Sequence, residues 1–139
     1  MVVLDTNVVL EAMRVAPSPE VMAWMDGQHA GRLFVAAVTE AEIRAGIAFL
    51  PDGARRQNLA DAAERAFGRL FDTRILPFDS QAARIYAEFA ARRQSGRPIS
   101  PADCQIAAIA LSRGMALATR NVRDFADAGV ELIDPWTAG

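Results

Sequence analysis

Met1-Val2-Val3-Leu4-Asp5-Thr6-Asn7 decides how this chain folds. Three apolar residues, two of them β-branched, run from the first methionine straight into an aspartate. This pattern marks a short strand buried on both faces that ends on a carboxylate. Such a strand belongs in the middle of a parallel sheet. Open α/β sheets do their chemistry in the crevice beyond the carboxyl ends of the strands, where the winding reverses, and Asp5 falls there.

Working outward, the run from Val8 to Met13 continues as a short helix that Ala16-Pro17-Ser18-Pro19 breaks. Ser18 reads as an N-cap with Pro19 at the first helical position, opening a helix to about Gln28. Leu33 to Val38 has strand length. Thr39-Glu40-Ala41-Glu42 then gives a capping-box pattern for a helix that stops at Pro51-Asp52-Gly53. An amphipathic helix is predicted over 54–72, with no motif on it that discloses a role. Arg74 to Phe78 reads as a third strand, and Asp79 caps a helix that closes at Gly96. Ser100-Pro101-Ala102-Asp103 opens an almost wholly apolar helix ending at Gly114. A strand from Met115 to Thr119, a loop closed by Gly129 and a strand from Val130 to Ile133 complete the chain.

Strands alternating with helices predict an α/β fold with a central five-stranded parallel sheet, and 139 residues fit one domain, 1–139. The chain has no lysine; its 15 basic residues are arginines set against 17 acids, so no global basic field exists to hold nucleic acid non-specifically. Any such contact must be local. The single cysteine, Cys104, excludes an internal disulfide and a cysteine zinc cluster and suits a reducing cytoplasm. No leader or membrane-length apolar run is visible, so a soluble cytoplasmic protein with no membrane association is expected. His29, the only histidine, falls in a glycine-flanked loop and reads as an exposed loop residue.

In a parallel sheet with right-handed crossovers, helix starts gather at the edge where strands end. Asp5, Glu42, Asp103 and Asp124 are all predicted at that edge. Each has a structural alternative as a helix cap or a partner of a helix dipole. Those alternatives predict no common destination. Carboxylates placed together repel one another, and stay ionised together only if cations join them. Oxygen donors of this kind suit Mg²⁺, with Mn²⁺ as a substitute.

Four blocks resemble, in order and spacing, the signature of the PIN-domain ribonucleases. They are Leu4-Asp5-Thr6-Asn7, Glu42 within Ala41-Glu42-Ile43-Arg44-Ala45-Gly46, Asp103 within the segment from Ile99 to Ala108, and Thr119-Arg120-Asn121-Val122-Arg123-Asp124-Phe125. The likeness is greatest to the VapC toxins of bacterial type II toxin–antitoxin modules, particularly their FitB-like branch, and it extends to Ile133-Asp134-Pro135-Trp136. It implies a PIN-like three-layer α/β/α fold, Mg²⁺-dependent hydrolysis of RNA, a small DNA-binding antitoxin as partner and a homodimer. It makes Asp5, Glu42, Asp103 and Asp124 the metal-binding and catalytic set, with Thr6, Asn7, Thr119 and Asn121 orienting them. Asn121 stands where many members carry a further acid, and an amide supplies no charge there. Arg44, Arg97, Arg120 and Arg123 lie near the rim by sequence and are candidate contacts to RNA phosphates.

Competing α/β enzymes fit less well. Haloacid dehalogenase-type phosphatases need a second aspartate where Asn7 stands, and they share with receiver domains and phosphate-loop NTPases a lysine that this chain lacks. A nicotinamide-binding domain would need a glycine fingerprint after the first strand. The remaining alternative is a catalytically silent PIN-like domain that only binds RNA or a partner protein.

Overall fold

The structure, a computed structural model, describes residues 1–93 and 99–138. Strand β1 (Val2–Leu4) lies at the centre of the sheet, and Asp5 caps the helix that follows it, α1 (Thr6–Met13). Helix α2 (Pro19–Asp26) leads to β2 (Leu33–Ala36), which passes directly into α3 (Ala37–Ala48). Helix α4 (Ala54–Arg65) precedes β3 (Ile75–Leu76); α5 (Ser80–Arg93) and α6 (Pro101–Ser112) precede β4 (Ala116–Ala118), and β5 (Leu132–Ile133) ends the sheet.

The five strands run in the order β3-β2-β1-β4-β5, all parallel. Val3 stands opposite Phe34 on one side and Leu117 on the other, which confirms β1 as an internal strand beside β4. Its alternating side chains feed two separate cores. Val2 and Leu4 pack with Val8, Val21, Ile43 and Phe67 on one face; Val3 packs with Ala82, Phe89, Ile106 and Ile109 on the other. Helices therefore cover both faces, giving the three-layer α/β/α arrangement.

Ser18 and Ser100 cap their helices as their sequence context predicts, accepting from Val21 N (3.4 Å) and Asp103 N (3.1 Å), each ahead of a proline in the first turn. Asp79 accepts from Ala82 N at 3.0 Å in the same way. The helix it opens extends to Arg93 among the described residues; the expected stop at Gly96 lies outside them. None of the helices described is long and apolar enough to cross a membrane.

The third and fifth strands are shorter than expected, at Ile75–Leu76 and Leu132–Ile133, and two further segments depart from the sequence reading. The strand expected to reach Val38 ends at Ala36, and α3 starts at Ala37 without a side-chain cap. Ala36-Ala37-Val38 is apolar in either state, so periodicity cannot locate the junction. Thr39 is thus a buried residue inside the helix, and Glu42 lies in the second turn instead of the first. The helix predicted over 54–72 keeps α-geometry only to Arg65. A wider π turn, Ala66–Phe71, follows and buries Phe67 and Phe71, with ring centroids 6.3 Å apart, before the chain turns at Asp72 (φ 42°).

Leu4 is fully buried at the middle of the sheet, so Leu4→Ala should destabilise the fold by ~2–5 kcal/mol through lost transfer energy and a cavity. Val15→Ala, at a fully exposed position, should stay within ~0.5 kcal/mol of the parent in the same urea-denaturation experiment.

Candidate active site

Asp5 leaves β1 pointing into the sheet's carboxyl edge, and its backbone N–H continues the ladder to Ala118 O at 2.9 Å. Its side chain is buried, with 6 % exposure, and accepts from Val8 N at 3.0 Å as the N-cap of α1. The Thr119 hydroxyl and the Asn7 backbone N–H also hydrogen-bond to it. Thr119 is itself fully buried, and its Oγ1 accepts from Asn121 N at 3.0 Å. A proton donated to Asp5 and an acceptor filled by Asn121 fix the orientation of this hydroxyl.

Burial pushes the Asp5 carboxyl above the ordinary aspartate range, and the charge of Asp103 pushes it further. Hydrogen bonds from Thr119, Val8 and Asn7 pull the other way without reversing the outcome. Asp103 is the third residue of α6, where its backbone N–H is held by Ser100, so the start of α6 brings the second carboxylate toward the first.

Glu42 is exposed on α3, and its Oε1 accepts from Thr6 Oγ1 at 2.7 Å. Thr6 Oγ1 also lies 3.1 Å from Thr39 Oγ1. A carboxylate only accepts, so the Thr6 proton goes to Glu42 and the Thr39 proton must go to Thr6. The relay Thr39 to Thr6 to Glu42 ties α3 to the end of β1. Asp124 lies in a single helical turn, Val122–Phe125, anchored by the buried Phe125, and its backbone N–H donates to Asn121 O at 3.1 Å.

Topology puts all four acids at the same edge, while the distances join them only in part. Asp5 and Asp103 interact through their charges, and Glu42 is tied to Thr6, the residue after Asp5. Among the described residues no group of three or more acid, histidine or cysteine side chains forms a closed metal cage. The edge opens into a cavity of about 890 Å³ between α1, α3 and the start of α4. Thr6, Asn7, Glu42, Arg120 and Trp136 line one part of it, and apolar side chains such as Met13, Ile47 and Leu50 another.

The arginines separate by environment. Arg44 is engaged within the protein: its guanidinium pairs with Glu40 (2.7 Å) and Glu64 (2.6 Å) and lies 5.6 Å above the Phe67 ring, so it joins α3 to α4. Both acids hold its proton more tightly. Arg120 lies 4.8 Å above Trp136 on the cavity wall, Arg123 is exposed on the Asp124 turn, and Arg97 lies outside the described residues. Sequence reasoning missed Thr39, whose signal was a polar residue in a helix at a position that faces the core. It also missed Trp136 as a cavity wall.

Two measurements test this geometry. A carboxyl with a raised folded pKa binds protons more readily when native, so its contribution to stability falls as pH rises from about 3.9, the free aspartate value, through the raised value. In metal-free protein Asp5→Asn should therefore raise the melting temperature at neutral pH, and the gain should shrink as pH falls toward 4, because Asn keeps the cap and removes the charge. For the relay, Thr39→Val should lose about 1 kcal/mol, the usual worth of one hydrogen bond, whereas Thr39→Ser should keep most of it.

The model of the PIN domain family matches residues 2–131. The VapC ribonuclease Y4jK of Sinorhizobium fredii is 41 % identical over 137 residues, 98 % of each chain. Toxin FitB of Neisseria gonorrhoeae is 38 % identical over 137 residues, covering 98 % of this chain and 99 % of that protein. The crystal structure of FitAcB from Neisseria gonorrhoeae superposes with a TM-score of 0.89 at 38 % identity over 99 % of both chains. The central placement of Asp5, the parallel sheet order and these likenesses agree: the chain belongs to the PIN-domain family, in the group that contains the VapC and FitB proteins.

Proposed function

We propose that this protein is a divalent-metal-dependent endoribonuclease and the toxin of a type II toxin–antitoxin module. One observation carries the reading: a buried aspartate at the carboxyl end of the central strand, held by three hydrogen bonds and repelled by a second aspartate. Keeping a buried carboxylate ionised beside a second, partly exposed one is unfavourable unless a cation joins them, and two hard oxygen donors with further acids at the same edge fit Mg²⁺ or Mn²⁺. The family and the relatives named ribonuclease and toxin support the same conclusion.

Asp5 and Asp103 would hold the ion, with Glu42 and Asp124 supplying further oxygens directly or through water. When bound, the ion supplies Lewis-acid polarisation of the phosphate and lowers the pKa of an attacking water. The protein's own part is orientation. Thr119 and the amides of Val8 and Asn7 fix Asp5, and the relay through Thr6 fixes Glu42, which is exposed and placed to accept a proton. The side-chain amides of Asn7 and Asn121 orient water or phosphate, and Arg120 and Arg123 supply local positive charge for the RNA backbone. The chain needs no histidine for this chemistry.

As toxin, the protein works in the cytoplasm as a homodimer and is restrained by a small DNA-binding antitoxin. The apolar length of the 890 Å³ cavity, which continues from the acidic edge, is a suitable seat for the antitoxin's tail.

The test is incubation of purified protein with a mixed RNA pool, with Mg²⁺ and with chelator. Cleavage should require the metal, and Asp5→Asn and Asp103→Asn should each slow it by more than about 100-fold, beyond the usual loss for a residue that only orients a ligand. Expression of the chain alone should arrest bacterial growth, and co-expression of the antitoxin should restore it. Folded Asp5→Asn protein that cuts RNA as fast as the parent would refute the proposal.

A further inference from the structure

Arg120 and Trp136 form a layered wall at the acidic end of the cavity. The Arg120 guanidinium lies 4.8 Å above the Trp136 ring, and both side chains line the same cavity as Thr6, Asn7 and Glu42. Two features fix the ring. It packs against the core on the Leu4 face of the sheet, and its backbone N–H donates to Asp134 Oδ1 at 2.9 Å next to the buried Pro135. The backbone of Arg120 is anchored from the other direction, because it follows Thr119, which is buried and bonded to Asp5. The ring and the Arg120 backbone are therefore both anchored beside the reacting edge.

The charge on this layer meets no acid among the described residues. Arg14 on the same cavity is paired with Glu11 at 3.3 Å, and Arg44 is held by two acids. Arg120 is exposed and has no acidic partner among the described residues. Arg55, also lining the cavity from the start of α4, is likewise exposed and without an acidic partner among them. A guanidinium held over an aromatic ring offers two recognition surfaces. Its outer plane can take the face of a nucleobase, and its N–H edge can reach a phosphate.

We propose that Arg120 backed by Trp136 is a nucleobase-stacking subsite for single-stranded RNA, with Arg55 holding the sugar–phosphate chain further along the cavity. The inference deepens the nuclease reading above and rests on it for the identity of the polymer. Every base has a π-face, so this subsite grips any unpaired nucleotide next to the carboxylates and excludes paired ones, whose faces are covered. It supplies local affinity to a chain whose overall charge is slightly negative.

The test measures binding of an end-labelled oligoadenylate by fluorescence anisotropy in chelator, where nothing is cut, against an abasic oligonucleotide of equal length and charge. Wild type should bind the base-bearing chain about tenfold or more tightly than the abasic one. Arg120→Ala should remove most of that preference. Arg120→Lys should keep affinity for the abasic chain while losing the preference, because an ammonium has no flat face. Arg55→Ala should weaken both oligonucleotides alike. Trp136→Ala should act like Arg120→Ala, and if that core-packed variant fails to fold, the exposed Arg120 variants carry the test. Equal binding of the two oligonucleotides by wild type, or a preference that survives in Arg120→Ala, would overturn the subsite. So would an antitoxin peptide that occupies this wall while neither oligonucleotide binds. Wild type that prefers bases but cuts nothing in Mg²⁺ would remove the nuclease proposal and leave the subsite standing. Metal-dependent cutting without any base preference would do the reverse.

Discussion

A carboxylate buried at the end of the central strand is the constraint on which the rest of this structure depends. Asp5 must lose most of its water because β1 has neighbours on both sides and helices on both faces. Burial of that kind is tolerated only when hydrogen bonds replace the water. Three groups supply them: the hydroxyl of Thr119 just past β4, and the backbone N–H groups of Asn7 and Val8 in α1. The residues that complete the site are therefore also those that close the sheet edge. Local structure and chemistry share one set of bonds.

The parts of the fold visible in the sequence were those with local causes. The alternation of Val2, Val3 and Leu4 between two cores, and the serine–proline caps at Ser18 and Ser100, depend on neighbours in the chain. What the sequence hid depends on partners far away. Thr39 looked like a cap because cap and buried hydroxyl use the same residue type; only its pairing with Thr6, 33 residues earlier, separates them. Arg44 looked available for phosphate until Glu64, from another helix, came within 2.6 Å. The π turn after Arg65 has no signature in a pattern that reads as helix throughout, since its cause is the burial of two phenylalanine rings. The four acids could be assigned to one edge by topology, but their separations could not be read from spacing.

Absence of lysine sharpens the division of positive charge. An arginine guanidinium can lie over an aromatic ring and pair through a planar fork, and the chain uses both properties. Arg44 bridges two acids and covers Phe67, which makes it a joint between α3 and α4. Arg120 lies over the Trp136 ring on the cavity wall, with no acidic partner among the described residues. Because the net charge is slightly negative, attraction for a polyanion must come from such local groups, and selectivity then follows from where they stand relative to Asp5.

Two threonines hold two carboxylates in contrasting surroundings. Thr119 is buried and holds a buried Asp5, whose charged form is disfavoured by desolvation and by Asp103. Thr6 is half-buried and holds an exposed Glu42, backed by the hydroxyl of Thr39. Similar groups in unlike environments can take unlike roles, and the carboxylate that gains most from a neighbouring cation is the buried one. Because Thr6 directly follows Asp5, the two are held in fixed relation by the first turn of α1. The strand end that carries the buried carboxylate thereby also sets the direction of the exposed one.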